Sequence, residues 1–373
     1  MIDRPRRVLL AQTQYENAGA QEISRLIAAD LVARGYETRQ LFFFRRSMPD
    51  ADAADLEFCA TERPGRPLAF FRFVLALRRA IRRFKPDVVV TFQHFGNVIG
   101  APMARFAGAR RVIANQVSTS ASMSPLVIAA DRLLGRFGVY DRIVVNSEKT
   151  ERAYDDYPTP YRSRLLRIDH GFQDKTVAIS KADARAALNL PPDGPLLGCA
   201  ARLHPLKQVD SAIATLPLLP DVRLALAGEG QDRERLEAAA RAFGVADRVI
   251  FLGELAPARI GVFLAALDCF VFPSAAESFG LAPVEAAQAG VPVVANRLPV
   301  LEEVLSINGE SCAIFVDALD PADFAAGVRR ALDEPDIARR LVGAGRKLQQ
   351  RYPLSGMTQA YADLIAEMIE PAR

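Results

Sequence analysis

Phe272–Asn296 reads FPSAAESFGLAPVEAAQAGVPVVAN. The apolar run CFVFPS (Cys269–Ser274) enters it and VPVVAN leaves it, the pattern of two buried strands joined by a helix. Ala275–Phe279 is then a turn, and the helix begins near Gly280 or Leu281. Pro283 fits its first turn, where an amide has no intrahelical acceptor. Amides around Ser278–Ala282 lie at the positive end of the helix dipole, a place for a phosphate, and Gly280 lets an anion approach the backbone.

Working outward, the same alternation fills the chain. RRVLLAQ, YETRQLFFF, DVVVTF, RRVIANQ, RIVVNS and RLLRID read as strands of the first half, and LLGCAAR, VRLALAGEG, RVIFLG, DCFVFPS, VPVVAN and CAIFV as strands of the second. AQEISRLIAADLVARG, DRERLEAAARAFG and EEVLSING read as helices between them, and SGMTQAYADLIAEMIE as a closing amphipathic helix. The expected fold is α/β: two Rossmann-like, doubly wound domains facing a cleft, residues 1–176 and 177–352, with a linker near Gln173–Ser180. Residues 353–373 form a helix returning to the first domain. Ligands of such sheets bind at the carboxyl ends of the strands.

Two carboxylates, Glu277 and Glu285, flank the glycine turn. Beside a phosphate they make sense as acceptors for hydroxyl groups. Either one alone reads as a solvated residue favouring a helix N-terminus. CAARLHPLKQVD adds Arg202 and Lys207 after the first strand of the second domain, and either alone reads as a surface charge. Together, the two glutamates beside the phosphate site ask for a ligand with phosphates and vicinal hydroxyls, a nucleotide sugar, and the two basic residues would offset its diphosphate charge.

Composition limits the alternatives. The chain has 373 residues, 50% of them hydrophobic, enough for two cored domains. Cys59, Cys199, Cys269 and Cys312 are scattered, as in reduced cytosolic proteins. The apolar run near the N-terminus is about five residues, short for a leader, and no run approaches the roughly 20 residues of a spanning helix. The expected location is cytoplasmic, extending to the inner face of the membrane. Through Val177 there are 28 Lys+Arg against 19 Asp+Glu, and 19 against 25 thereafter, so the two halves face different partners or each other. A nucleic-acid signature is missing, and AGEGQDRER lacks the full dinucleotide-loop spacing.

ESFGLAPVE resembles the E-x7-E motif, and ARLHPLKQ the R-L-x-x-x-K segment, of GT-B glycosyltransferases of family 4. NAGAQEISRLIAADLVARGYE, KPDVVVTF, RLLRIDHGFQD, LALAGEGQDRERLEAAA, VIFLGEL and AGVPVVAN extend the resemblance along nearly the whole chain. It implies a retaining, metal-independent hexosyltransferase of polysaccharide or glycolipid biosynthesis, with no cofactor and a UDP- or GDP-sugar as donor. The acceptor would be a saccharide, a lipid-linked saccharide or a small molecule.

By the same resemblance Glu285 holds the ribose hydroxyls and Glu277 contacts the transferred sugar, with amides of Phe279, Gly280 and Leu281 on sugar and phosphate. Arg202 and Lys207 hold the diphosphate. Gly228, Gly230, Phe251 and Leu252 surround the base, and Gly19 brings an amide from the first domain. Glu277, Arg202 and Lys207 are the expected catalytic residues. Asp50-Ala51-Asp52 reads as a solvated loop and no metal ligands are assigned. His94 and His170 read as isolated, and His204, beside Arg202, is the histidine to watch.

The chain departs from the family at Gln116, where many relatives carry a histidine, at Ala18-Gly19 in place of a glycine pair, and at His170-Gly171. These touch the acceptor side. Arg66–Lys85 carries six arginines with Phe70, Phe71, Phe73, Val74, Leu75 and Leu77. It reads either as a helix on anionic lipid or as a crossover helix covering the sheet. The alternatives for function are a nucleotide-sugar-binding protein without transfer activity and a GT-B sugar-nucleotide epimerase.

Overall fold

The computed structural model describes residues 5–16, 19–45, 56–117 and 123–370, and Asp50-Ala51-Asp52 lies outside them. Two compact units are formed: Met1–Gly171 with Leu354–Arg373, and Phe172–Pro353.

The first unit holds β1 (Arg7–Tyr15), β2 (Glu37–Arg45), β3 (Leu56–Ala60), β4 (Val88–Phe92), β5 (Arg111–Gln116), β6 (Arg142–Val145) and β7 (Leu165–Arg167). They pair in the order β3-β2-β1-β4-β5-β6-β7, all parallel. Runs such as VVVTF are almost wholly apolar because helices cover both faces of the sheet, and the hydroxyl of the buried Thr91 donates to Asn97 Oδ1 at 2.7 Å. β3 was not among the expected strands. It is a sheet edge, where one flank is unpaired and a charge is tolerated; its Glu57 is ion-paired with Arg39 at 3.1 Å and also with Arg83.

The Pro67–Phe84 helix buries Phe73, Leu77, Ala80, Ile81 and Phe84, and leaves Leu68, Phe70 and Phe71 exposed at its start. Its principal apolar face therefore covers the sheet. The Leu354–Ile369 helix buries Met357, Tyr361, Leu364, Ile365 and Met368 in this same unit. Asn115 Nδ2 donates to the Tyr361 hydroxyl at 2.5 Å, and Arg111 donates to the Met368 carbonyl at 3.0 Å. No helix among the described residues is long and apolar enough to cross a membrane.

The second unit holds β8 (Leu196–Ala200), β9 (Arg223–Ala227), β10 (Val249–Gly253), β11 (Cys269–Phe272), β12 (Val293–Asn296), the short hairpin β13 (Ser306–Ile307) and β14 (Glu310–Ser311), and β15 (Ile314–Val316). The main sheet is parallel in the order β10-β9-β8-β11-β12-β15. Phe270 and Phe272 of β11 enter one core, while Cys269 and Val271 enter the core on the other face. EEVLSING was expected to be helical, but the helix Pro299–Val304 stops early. Asn308 and Gly309, at φ 51° and 80°, turn the β13–β14 hairpin instead.

From β8 the chain steps outward through β9 to β10, and from β11 it steps the other way through β12 to β15. The carboxyl ends of β8 and β11 thus meet where the winding reverses, the crevice in which doubly wound sheets bind ligands.

Candidate active site

Each strand at this switch point sends out a charged loop. After β8 comes Arg202, then a short helical turn, Pro205–Lys207. His204 caps that turn, its Nδ1 accepting the Leu206 N–H at 3.2 Å. After β11 comes Ser274–Gly280. The Leu206 carbonyl accepts from the Ala275 N–H at 2.8 Å and from Ser274 Oγ at 3.1 Å, so the two loops are stitched backbone to backbone. Lys207 Nζ then reaches Glu277 Oε1 at 2.5 Å and lies 5.4 Å from the centre of the Phe272 ring. Asn296, at the end of β12, donates to the Ser274 carbonyl at 3.0 Å and fixes the second loop from behind.

The helix Leu281–Gln288 starts on Gly280, whose φ of 85° favours glycine. A Cβ there would also sit 2.5 Å from Leu301 Cδ2. The first-turn amides of Leu281 and Ala282 have no acceptor within the helix and face the dipole's positive end. Phe279 is buried, its ring edge-on to Tyr352 at 5.1 Å, so the ring belongs to the core. Glu277 and Glu285 are both largely covered, with side-chain exposure of 11% each. Each faces a lysine: Lys207 for Glu277, and Lys175 at 3.6 Å for Glu285.

Gly228 and Gly230 have a packing role that the sequence did not disclose. A Cβ at 228 would sit 2.0 Å from the Ala201 carbonyl oxygen, and one at 230 would sit 2.1 Å from that of Leu203. Between these contacts, the Ala201 and Leu203 amides donate to the carbonyls of Ala227 at 3.1 Å and Glu229 at 3.0 Å. The two bare glycines therefore clamp the backbone on either side of Arg202. Phe251 and Leu252 lie on β10, next to β9, and the Arg233 guanidinium stacks over the Phe251 ring at 4.4 Å.

The expected site residues of the second unit thus sit on β10, on the loops that follow β8, β9 and β11, and on the helix Leu281–Gln288. Gly19 opens the Gly19–Ala33 helix of the first unit. The residues missed from sequence are Lys175 and Gln288. Lys175 stands in the polar QDKTV segment, which carries no periodicity, and nothing in its spacing points to Glu285. The pairing of Gln288 with the same segment is equally hidden.

His170 and Gln116 belong to the interior of the first unit. Asn146 Nδ2 lies 3.0 Å from His170 Nε2, and burial pushes that imidazole down to about 3. Gln116 Nε2 donates to Asp131 Oδ1 at 2.9 Å and to the Tyr161 hydroxyl at 3.0 Å, and Tyr140 and Tyr161 also donate to Asp131. Burial raises the Asp131 pKa, and the three hydrogen bonds oppose that rise. The departure at Gln116 is therefore accompanied by a buried polar network.

Two parallel-sheet, Rossmann-like units, one with a stitched pair of charged loops at its switch point, are the fold of the GT-B proteins. One family model, described as Glycosyl transferases group 1, matches residues 180–348, and another, described as Glycosyltransferase Family 4, matches residues 18–193. The chain is similar to the glycosyltransferases that these two models describe, each model matching a little under half of it.

It is 32% identical over 244 residues to a D-inositol 3-phosphate glycosyltransferase of Acidothermus cellulolyticus, an alignment covering 61% of this chain and 54% of that protein. It is 35% identical over 192 residues to the lipopolysaccharide core biosynthesis mannosyltransferase LpsB of Rhizobium meliloti, covering 48% of this chain and 52% of that one. The chain thus spans about half the length of these two curated relatives. HepE of Anabaena, solved in complex with UDP-glucose, has the same fold, with a TM-score of 0.79 at 19% identity over 96% of this chain and 99% of that one.

Proposed function

We propose that the protein is a retaining, metal-independent glycosyltransferase that moves a hexose from a UDP- or GDP-sugar to a saccharide, lipid-linked or small-molecule acceptor. The observation that carries this reading is the Lys207–Glu277 pair across the β8–β11 switch point, beside the mouth of the Leu281–Gln288 helix. The pair removes the charge conflict of a carboxylate next to a diphosphate. An ammonium has three N–H donors, so Lys207 can keep Glu277 and still donate to phosphate oxygens. Glu277, neutralised by Lys207, would accept from a hydroxyl of the sugar.

Arg202, held between the two clamped carbonyls, would fork onto the diphosphate, while the amides of Gly280 and Leu281 meet it at the positive helix end. Glu285 would hold the ribose. Cleavage of the bond from the anomeric carbon to the phosphate oxygen leaves its electron pair on the diphosphate, and Arg202 and Lys207 stabilise that charge as it develops. The acceptor oxygen bonds to the anomeric carbon on the face the diphosphate leaves, and its proton passes to a diphosphate oxygen. The two glutamates then serve hydrogen bonding, not the acid and nucleophile roles of a glycosidase. On the other unit, the exposed Leu68, Phe70 and Phe71 beside a row of arginines support contact with an anionic membrane surface holding a lipid-linked acceptor.

A melting-temperature panel with UDP-, GDP-, ADP- and TDP-sugars tests the donor, because a ligand bound only by the folded state raises the melting point. A rise with one nucleotide class, and release of that nucleotide in the presence of an acceptor, supports the reading. A rise without release identifies a binding protein, and no rise with any of the four contradicts the proposal.

A further inference from the structure

We propose that Lys175 is a positioning residue for nucleotide recognition: it fixes the Glu285 carboxylate for the ribose hydroxyls. This rests on the donor-site reading above and extends it to a residue outside the two charged loops. The Lys175 side chain has 9% exposure and that of Glu285 11%, with Nζ 3.6 Å from Oε1. A covered carboxylate without a cation is costly, yet a covered ion pair is seldom better for stability than an apolar pair of the same size. Its placement on the expected ribose acceptor therefore points to function.

The backbone around Lys175 is seated to match. Gln288, one turn beyond Glu285 on the same helix, uses both ends of its amide on this segment: Nε2 donates to Asp174 Oδ1 at 2.8 Å, and Oε1 accepts the Lys175 N–H at 3.4 Å. Asp174 also accepts the Thr176 N–H at 2.7 Å. Hydrogen bonds to Thr176 and Gln288 hold the Asp174 carboxyl below its ordinary range. From the other side, the helix Ile260–Ala265 brings Gly261 against the Lys175 carbonyl, where a Cβ would lie only 2.5 Å from the oxygen. Phe172, just upstream, is in the core of the second unit. A segment located by an amide, a bare glycine and a core phenylalanine delivers one ammonium to one carboxylate. With its rotamer set from within, Glu285 meets the ribose already ordered, and binding does not have to pay for ordering it.

The test uses the full chain and whichever of UDP and GDP raises its melting point, compared with the 2′-deoxy and 3′-deoxy forms of that nucleotide by calorimetry. Glu285→Gln, Lys175→Met and Gln288→Leu are measured beside the unaltered protein. The expected result is a preference for the ribonucleotide of about tenfold that falls several-fold in all three variants. Lys175→Arg should restore part of it, and a merely structural role would lower melting points without changing the ratio. If Glu285→Gln keeps the ribose preference, the assignment of Glu285 to ribose fails, and this inference with it. If Glu285→Gln loses the preference while Lys175→Met and Gln288→Leu keep it, the donor reading stands and the role of Lys175 is overturned. Should Lys175→Met not fold, Gln288→Leu decides alone: an unchanged ratio contradicts the proposal.

Discussion

Lys207 Nζ stands 2.5 Å from Glu277 Oε1, so an ion pair closes the loop after β8 onto the loop after β11. Their side chains are 23% and 11% exposed, which makes this a covered pair. Removing one partner leaves the other charge uncompensated. Lys207→Ala and Glu277→Ala should each lower stability by about 2–3 kcal/mol and abolish transfer. Lys207→Met combined with Glu277→Leu should regain much of that stability while transfer stays lost. Urea unfolding alongside nucleotide release checks both halves, and full activity in any of the three would remove the catalytic roles.

Gly228 and Gly230 touch the carbonyls flanking Arg202. Either glycine changed to alanine should cost about 1–3 kcal/mol and weaken donor binding at least tenfold, since Arg202 moves with its backbone. Phe251→Ala leaves that clamp intact. If the glycines matter only through the base, both alanine variants will bind a sugar-diphosphate fragment as well as the unaltered protein does, a result calorimetry would show.

His170 stays neutral in the folded protein down to about 3, against 6.5 for the free imidazole. The unfolded chain therefore takes up a proton that the folded one refuses, and stability falls as pH drops from near 6.5 toward 3. At pH 5 this group accounts for about 2 kcal/mol of loss. Urea midpoints at pH 7 and pH 5 should separate more in the unaltered protein than in His170→Gln. Equal separations would contradict the burial argument.

Gln116 donates to both Asp131 and Tyr161 in a sealed cluster. Gln116→Leu should destabilise the first unit by about 1–3 kcal/mol by leaving Asp131 a donor short. Donor binding, assigned to the second unit, should be unchanged. A variant with native stability and altered donor affinity would reverse that assignment.

The exposed Leu68, Phe70 and Phe71 at the start of the Pro67–Phe84 helix predict flotation with anionic vesicles at low salt and release at high salt. Phe70→Ser with Phe71→Ser should reduce flotation without lowering the melting point. Equal flotation of the double variant would contradict a role for this face.

How much of this could be read beforehand depended on whether the determining contacts were local. β4 and β11 were legible because a strand buried on both faces must be almost wholly apolar; in β4 the one polar residue, Thr91, is satisfied by Asn97. β3 was not, since an edge strand can carry Glu57. The helix ends at Val304 because Asn308 and Gly309 turn a hairpin, a local signal that the helical pattern before it masks. Glu277 and Lys207 lie 70 residues apart, but each follows a strand, and the winding of the sheet brings those strand ends together. Lys175 and Gln288 had no such guide: their meeting depends on how a nonperiodic segment lies across a helix. The contacts of Gly228 and Gly230 with carbonyls were equally invisible, because a glycine in sequence does not show what it approaches.

The most direct measurement is a crystal structure of the full chain soaked with the nucleotide sugar that gives the largest melting shift. The diphosphate is expected at the Gly280–Ala282 amides, within hydrogen-bond reach of Arg202 and Lys207, with the ribose on Glu285 and the sugar on Glu277. A ligand bound away from the carboxyl ends of β8 and β11, with neither basic side chain on its phosphates, would contradict it.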